Sequence, residues 1–199
     1  MRHLKNYQEY LNEVNRPGKP YHGSKILVFD LDDTLVISSA KIKVCNKKTS
    51  ECYSLTPEEF NTYEKGKHEE LDFDEFKSLE IMKAGELIEY YLNIFKEAYK
   101  MKIAVGIVTA RDDRTMIWKW LREHVGYRID YELIFAVNDP IHKYKGNISD
   151  RKKAAFKELI EMGYNDLQFY DDDDANLKLV KSLEDEYEGI NISTIKAIK

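Results

Sequence analysis

Ile26-Leu27-Val28-Phe29-Asp30-Leu31-Asp32-Asp33-Thr34-Leu35 passes from an unbroken apolar run into three acids within four positions. An apolar run of this kind suits a strand buried on both faces, as inside a parallel sheet. The acids that follow are costly, because close carboxylates repel and raise one another's pKa. A bound hard cation removes that cost, since magnesium takes carboxylate oxygens and keeps water or phosphate as its other ligands. If the chain leaves the strand still extended, Asp30 and Asp32 point the same way. One can then attack phosphorus while the other handles a proton. The competing reading is a solvated acidic turn.

The same arrangement recurs along the chain. Ile103 to Val108 reads as a second buried strand, Leu133 to Val137 as a third, Leu167 to Tyr170 as a fourth and Ile190 to Ile195 as a last one. Helical spacing separates them. Leu87, Ile88, Tyr91, Ile94, Phe95 and Ala98 share one face of a helix expected over 84–99, and Met116, Ile117, Trp120 and Leu121 share one over 113–125. A third helix is expected from a cap at Ser149 or Asp150 to Met162, ended by Gly163, and a fourth over 174–187. Alternating strands and helices predict an α/β fold with a mainly parallel sheet. Ligands of such sheets bind beyond the carboxyl ends of the strands, where four polar signals fall.

Asp30 and Asp32 are the first. Thr109-Ala110-Arg111 is the second: the Thr109 hydroxyl and the amides after it can donate to a phosphate, or Thr109 can cap a helix. Arg111 can hold a phosphate in bidentate fashion or pair with Asp112 or Asp113 at the surface. The third is the basic helix start Arg151-Lys152-Lys153. Lys152 shares a face with Ala155, Phe156 and Leu159, which favours it over Lys153 as the lysine that offsets the acids. The fourth is Asp171-Asp172-Asp173-Asp174-Ala175-Asn176, in which Asp171 and Asp172 are expected at a metal while Asp173, Asp174 and Asn176 cap the next helix.

The rest of the chain is organised around this frame. Leu4, Tyr7, Leu11 and Val14 lie at helical spacing and Pro17 to Pro20 stop any helix, so 1–24 is read as an N-terminal helix and linker. Residues 38–80 read as an insertion, with a hairpin in KIKVCNKKTSECYSL, a short helix capped by Thr56 with Pro57 first, and then an acidic stretch. A turn at Lys48-Thr49 sets Cys45 opposite Cys52. The polar N-terminus lacks the apolar stretch of a secretion signal, so a cytoplasmic location is expected and the two cysteines are expected as thiols. No apolar run reaches membrane-spanning length. With 199 residues and a net charge of −5, the chain suits one domain and lacks a broad basic footprint for nucleic acid.

Together the four signals resemble the haloacid dehalogenase superfamily: Asp30-Leu31-Asp32-Asp33-Thr34 is similar to its DxDx(T/V) motif, Thr109 to its terminal Ser/Thr, Lys152 to its lysine and Asp171-Asp172 to its paired acids. The resemblance covers about residues 25–180. It implies a Rossmann-like three-layer sandwich and catalysis through an aspartyl-phosphate. It also implies that Asp30 attacks phosphorus, that Asp32 protonates the leaving oxygen and then activates water, and that Thr109 and Lys152 hold phosphoryl oxygens. Magnesium would be held by Asp30, the backbone carbonyl of Asp32, and Asp171 or Asp172. The 38–80 insertion is too small for a large cap and is expected to form a flap.

An open site suits a nucleotide or a nucleic-acid 3′ end, and the motifs are loosely similar to the phosphatase domains of phage polynucleotide kinase-phosphatases. Tyr53, Phe60, Tyr63, Tyr90 and Tyr91 then offer stacking surfaces or simply pack core and flap. The alternatives are a small-metabolite phosphatase that uses the flap as a lid, and a binding module of the same fold without turnover.

Overall fold

The structure, a computed structural model, describes residues 24–198. The helix and linker expected over 1–24 therefore lie, except for Ser24, outside the described residues. In chain order the strands and α-helices are β1 (Lys25–Phe29), β2 (Val36–Ile37), β3 (Ile42–Asn46), β4 (Cys52–Leu55), α1 (Pro57–Asn61), β5 (Glu69–Asp72), α2 (Leu79–Lys83) and β6 (Glu86–Leu87). Then follow α3 (Glu89–Lys100), β7 (Ala104–Thr109), α4 (Arg114–Trp120), β8 (Ile134–Ala136), α5 (Ile148–Glu161), β9 (Asp166–Asp171), α6 (Asp174–Lys181) and β10 (Asn191–Lys196).

Five strands form a parallel sheet in the order β10-β9-β1-β7-β8. Helices cover both faces, which makes the fold a Rossmann-like α/β sandwich. On one face Leu27 and Phe29 of β1 pack with Phe95 of α3 and Trp120 of α4. On the other, Ile26 and Val28 pack with Phe156 of α5 and Val180 of α6. Successive side chains of a strand point to opposite faces. Both faces here are covered, so β1 must be apolar throughout, and this is why its sequence does not alternate.

The strand order places the site. From β1 the chain builds outward to β7 and β8, then returns to the other side of β1 for β9 and β10. Beyond the carboxyl ends of β1 and β9 the order reverses, and open sheets of this kind form their binding crevice at such a point. The strands end nearly flush: Phe29 pairs with both Ile107 and Tyr170.

The insertion forms a three-stranded antiparallel flap, β4-β3-β5, on a short β2-β6 ribbon. Cys45 lies opposite Cys52, as the turn geometry requires, but the pair is a disulfide and not the two thiols expected. The cross-strand register holds their Cα atoms 4.2 Å apart, close enough to bond. Thr56 caps α1 in a full capping box with Glu59, and Pro57 sits at its start. The acidic stretch after it carries no strand signal of its own. Part of it is β5, which pairs with the free edge of β3 (Cys45 opposite Glu70) although Glu-Glu-Leu-Asp has poor strand propensity.

Other boundaries differ for local reasons. The helix expected over 113–125 gives way after Trp120 to a π-turn at Leu121–Val125, closed by Gly126 with φ 86°. The helix expected over 84–99 begins only at Glu89. Gly85 separates it from α2, and the reason is steric. A Cβ at position 85 would lie 2.7 Å from Val36 Cγ2 and 2.8 Å from the Ile37 carbonyl oxygen. The bare backbone lets the β2-β6 ribbon close under the flap. Gly85→Ala is therefore expected to destabilise the protein by about 1–3 kcal/mol through overpacking, measured by urea unfolding. Unchanged stability would show that the ribbon relaxes freely.

Candidate active site

Asp30 directly follows β1, Thr109 ends β7 and Asp171 ends β9. The Asp30 amide donates to the Tyr170 carbonyl at 2.8 Å, so the backbone at the strand ends fixes where the carboxylate starts. Leu31 turns into the core, fully buried, which leaves the flanking Asp30 and Asp32 on the site side. From the opposite wall comes Lys152, on the inward face of α5 with Ala155, Phe156 and Leu159. Its Nζ lies 2.7 Å from Asp171 Oδ2 and 3.1 Å from Asp30 Oδ1. Lys153, one position on, bonds instead to Ser182 at 2.9 Å and Glu186 at 2.5 Å. The α5 cap is Asn147, in a capping box with Asp150, rather than Ser149 or Asp150.

Asp171 is held from several sides. Both of its oxygens accept from Asn176 Nδ2, at 3.0 and 3.2 Å, and Oδ1 accepts from the Asp173 amide at 2.8 Å. Asn176 is in turn oriented by the Ser149 hydroxyl at 2.8 Å. The expected division of this acidic run thus needs one correction. Asp173 caps α6 and Asp174 lies in its first turn, but Asn176 is buried and positions Asp171. Asp172 is half-buried next to Asp171. The carboxylate oxygens of Asp30, Asp171 and Asp172 all come within 4.8 Å of one another.

Arg111 is the largest departure from expectation. It is 4% exposed and pairs neither with a surface acid nor with an open phosphate position. Its guanidinium forks onto Asp32, with Nε donating to Oδ2 at 2.8 Å and Nη2 to Oδ1 at 2.7 Å. Nη1 donates to the Phe76 carbonyl of the flap at 2.6 Å, and Nη2 reaches Ser38 Oγ at 3.3 Å. A buried guanidinium needs a charge and several acceptors, and Asp32 with the flap backbone supplies both. Consequently the Asp32 carboxylate lies outside the group of three acids, and only its backbone carbonyl remains for the metal role expected of it.

Thr109 is buried, and its Oγ1 accepts from the Arg111 amide at 3.4 Å. It does not cap a helix, since Asp113 caps α4. The Ala110 carbonyl accepts from Asn138 Nδ2, and Arg151 Nη1 donates to Asn138 Oδ1, each at 2.5 Å. Asn138 thus ties the loops after β7 and β8 to α5. Sequence reading passed over it, although a polar residue just past the third buried strand was a usable signal. Thr34 is fully buried, and its hydroxyl has no hydrogen-bond partner among the described residues.

Burial pushes the Asp30 carboxyl well above the usual carboxylate range; Lys152 pulls it back, and Asp171 and Asp32 push it up again. Burial alone pulls Lys152 down, but Asp30 and Asp171 outweigh it and hold the ammonium above the usual lysine range. Asp172 is pushed up to about 6 by burial, with Asp171 and Asp33 adding to it. One ammonium thus faces a surplus of carboxylates. Asp30 Oδ1 is buried, and the Lys152 ammonium 3.1 Å away is its one polar side-chain partner among the described residues. The donor set is entirely oxygen, which suits magnesium and other hard divalent ions. An ion among Asp30, Asp171 and Asp172 would give Asp30 a further partner and offset the surplus charge together.

A cleft of about 790 Å³ runs from Asp32 toward the flap. Asp32, Ala110, Arg111 and Asn138 border it on the sheet side, and Leu71, Phe73 and Phe76 on the flap side. Of the five aromatics considered for base stacking, Tyr53, Phe60 and Tyr63 pack against one another in the flap, Tyr91 is in the core and Tyr90 is exposed. No helix among the described residues is long and apolar enough to cross a membrane. Compared with known proteins, the chain matches no family model and no curated relative.

The raised Asp172 carboxyl has a stability consequence. A group whose folded pKa exceeds its unfolded value favours the fold most below the unfolded pKa, and that advantage is lost as pH rises through the folded one. Without metal, Asp172 therefore costs stability as pH climbs from about 4 through about 6. Magnesium bound to the ionised acids would remove this cost, whereas at lower pH it would have to displace a proton. Thermal melts with and without millimolar magnesium chloride are expected to show a larger upward shift at about pH 7 than at about pH 5. Equal shifts, or none, would contradict the site.

Proposed function

We propose that this chain is a magnesium-dependent phosphomonoester hydrolase of the haloacid dehalogenase type, with Asp30 as the group that takes the phosphoryl. The observation that carries this reading is the meeting of Asp30, Lys152, Asp171 and Asp172 at the carboxyl ends of β1 and β9, with three carboxylates around one ammonium. Asp30, Asp171 and Asp172 would hold the ion, with the Asp32 carbonyl as a further ligand. Bound there, it would offset the carboxylates and withdraw charge from the phosphoryl oxygens.

The residues then divide the work. An Asp30 oxygen attacks phosphorus, and the bond from phosphorus to the ester oxygen breaks as the new one forms. The departing oxygen takes a proton from the Asp32 carboxyl and leaves as an alcohol or phenol. Asp32 next takes a proton from water, whose oxygen attacks phosphorus, and the Asp30–phosphorus bond breaks. Inorganic phosphate leaves, with the Asp30 carboxylate free again and the proton taken from water returned through Asp32 for the next cycle. Lys152 supports phosphoryl charge while neutralising Asp30 and Asp171. Arg111 fixes the direction of the Asp32 carboxyl; each oxygen keeps a second lone pair turned away from the fork, available for the proton.

Of the two substrate classes raised by the sequence, a nucleic-acid end and a small metabolite under a lid, the cleft favours the small one. It lies between flap and sheet, and its walls are acidic.

Two substitutions test the roles separately. Asp30→Asn is expected to abolish phosphate release from every substrate, with the circular dichroism spectrum and melting profile of a folded protein. Asp32→Asn is expected to lower kcat by about 10²–10⁴-fold on alkyl phosphates, the usual size of proton-transfer catalysis. With 4-nitrophenyl phosphate the loss in the first step should be much smaller, because that leaving group departs without a proton. Near-wild-type release by Asp30→Asn would sink the mechanism, and equal losses in the first step on both esters would remove the acid role of Asp32.

A further inference from the structure

The cleft beside Asp32 has a character that phosphoryl transfer itself does not require. Of the carboxylates that border it, Asp32, Asp72, Asp74 and Asp112 stand against two cations, Arg111 and Lys77, a formal excess of two negative charges, while Glu70 on the rim pairs with Lys47 at 3.3 Å. Neither cation faces the cleft unpaired. Arg111 is forked onto Asp32, and Lys77 lies 3.2 Å from Asp74 and 3.7 Å from Asp112. Between the acids the wall is apolar: Pro57, Leu71, Phe73 and Phe76 line it. Phe73 is 41% exposed, and Phe60 and Phe76 back it with ring centroids 5.6 and 6.3 Å away. The flap is tied over the opening by the Arg111 bond to the Phe76 carbonyl, and within the flap the Lys41 amide donates to Glu75 at 2.8 Å.

A ligand that leaves its phosphate among Asp30, Lys152 and the ion must lay its remaining part in this cleft, next to Asp32. A second anionic group there meets like charge on most sides, whereas an ammonium meets complementary charge and an aromatic ring meets Phe73. Resting on the phosphohydrolase reading above, we infer that the substrate is a single monophosphate ester of an uncharged or amine-bearing alcohol or phenol with an apolar or aromatic body. A nucleic-acid strand or a bisphosphate does not suit the cleft. Asp72, Asp74 and Asp112 are specificity-determining residues that act through charge and take no part in bond breaking.

The test compares three esters that differ only in a charge kept away from the ring: the phosphates of tyramine, 4-ethylphenol and 3-(4-hydroxyphenyl)propionate. Their leaving phenols are nearly equally acidic, so differences in kcat/KM report the cleft. An oligonucleotide with a terminal phosphate joins the panel. The wild-type protein with magnesium should rank them cation, neutral, anion, with steps of about tenfold at low salt that shrink at high salt. In D72N/D74N/D112N the spread should collapse while the neutral ester changes by less than about twofold. The Asp72→Asn change keeps a side-chain oxygen able to accept from the Asp74 amide, as the Asp72 carboxylate does at 2.8 Å. The salt dependence of the unaltered protein gives a second readout, independent of that variant's folding. Preference for the anionic ester or the oligonucleotide, with the neutral ester still hydrolysed, would overturn the specificity and leave the phosphohydrolase reading standing. Absence of phosphate release from every ester would overturn both.

Discussion

The ammonium of Lys152, 2.7 Å from Asp171 and 3.1 Å from Asp30, lets two carboxylates share the buried end of the sheet. Moving a charge out of water costs several kcal/mol after relaxation, so none of these groups could sit there alone. Removing one partner from such a cluster costs about 3–5 kcal/mol, because it strands the others. The cluster explains features far from it in sequence. α5 must present Lys152 inward on a face otherwise made of Ala155, Phe156 and Leu159. Asn176 must be buried beside Asp171, and Ser149 must hold Asn176. Even so, Asp30 Oδ1 has no partner but the Lys152 ammonium among the described residues. Under the proposed reading a metal would offset the remaining carboxylate charge.

A second charged pair, Arg111 with Asp32, links this centre to the flap. The same guanidinium that orients Asp32 also donates to the Phe76 carbonyl and approaches Ser38. The flap strands, α1 and the aromatic contacts around Phe73 are thereby connected to the carboxyl proposed to handle the proton. Cys45 and Cys52 close the far end of the same unit. The insertion is small, yet it is built as a packed element with its own sheet.

The sheet was largely legible because its strands are short apolar runs, each followed by a turn or polar signal. Doubly buried strands cannot alternate, and Ile26 to Phe29 or Ile103 to Val108 have few other ways to be buried. The inward register of Lys152 was legible for a similar reason, since helical spacing alone puts it with Phe156 and Leu159. Residues whose partners are fixed only by the tertiary fold were not legible. Arg111 was expected at a phosphate or a neighbouring acid, but its acceptors are Asp32 and Phe76, which only the fold brings near. Asn176 was read as a local cap because its bond to Asp171 depends on how α6 leaves β9. β5 was missed because the edge of β3, not its own composition, makes it a strand. The disulfide was half legible: the turn gave the register of Cys45 and Cys52, while their bonding was read from an expected compartment and not from geometry.

The central claim is that Asp30 becomes covalently phosphorylated, and the most direct measurement is the mass of the acid-quenched protein. The protein with magnesium would be mixed rapidly with an aryl phosphate, quenched in acid, which preserves acyl phosphates, and digested at low pH. The account expects the mass of one phosphoryl group on the peptide that contains Asp30, absent without magnesium and lost on mild alkaline treatment. Phosphate release in full, with no phosphoryl group on that peptide at any quench time and none trapped when Asp32 is replaced by Asn to slow hydrolysis, would contradict it.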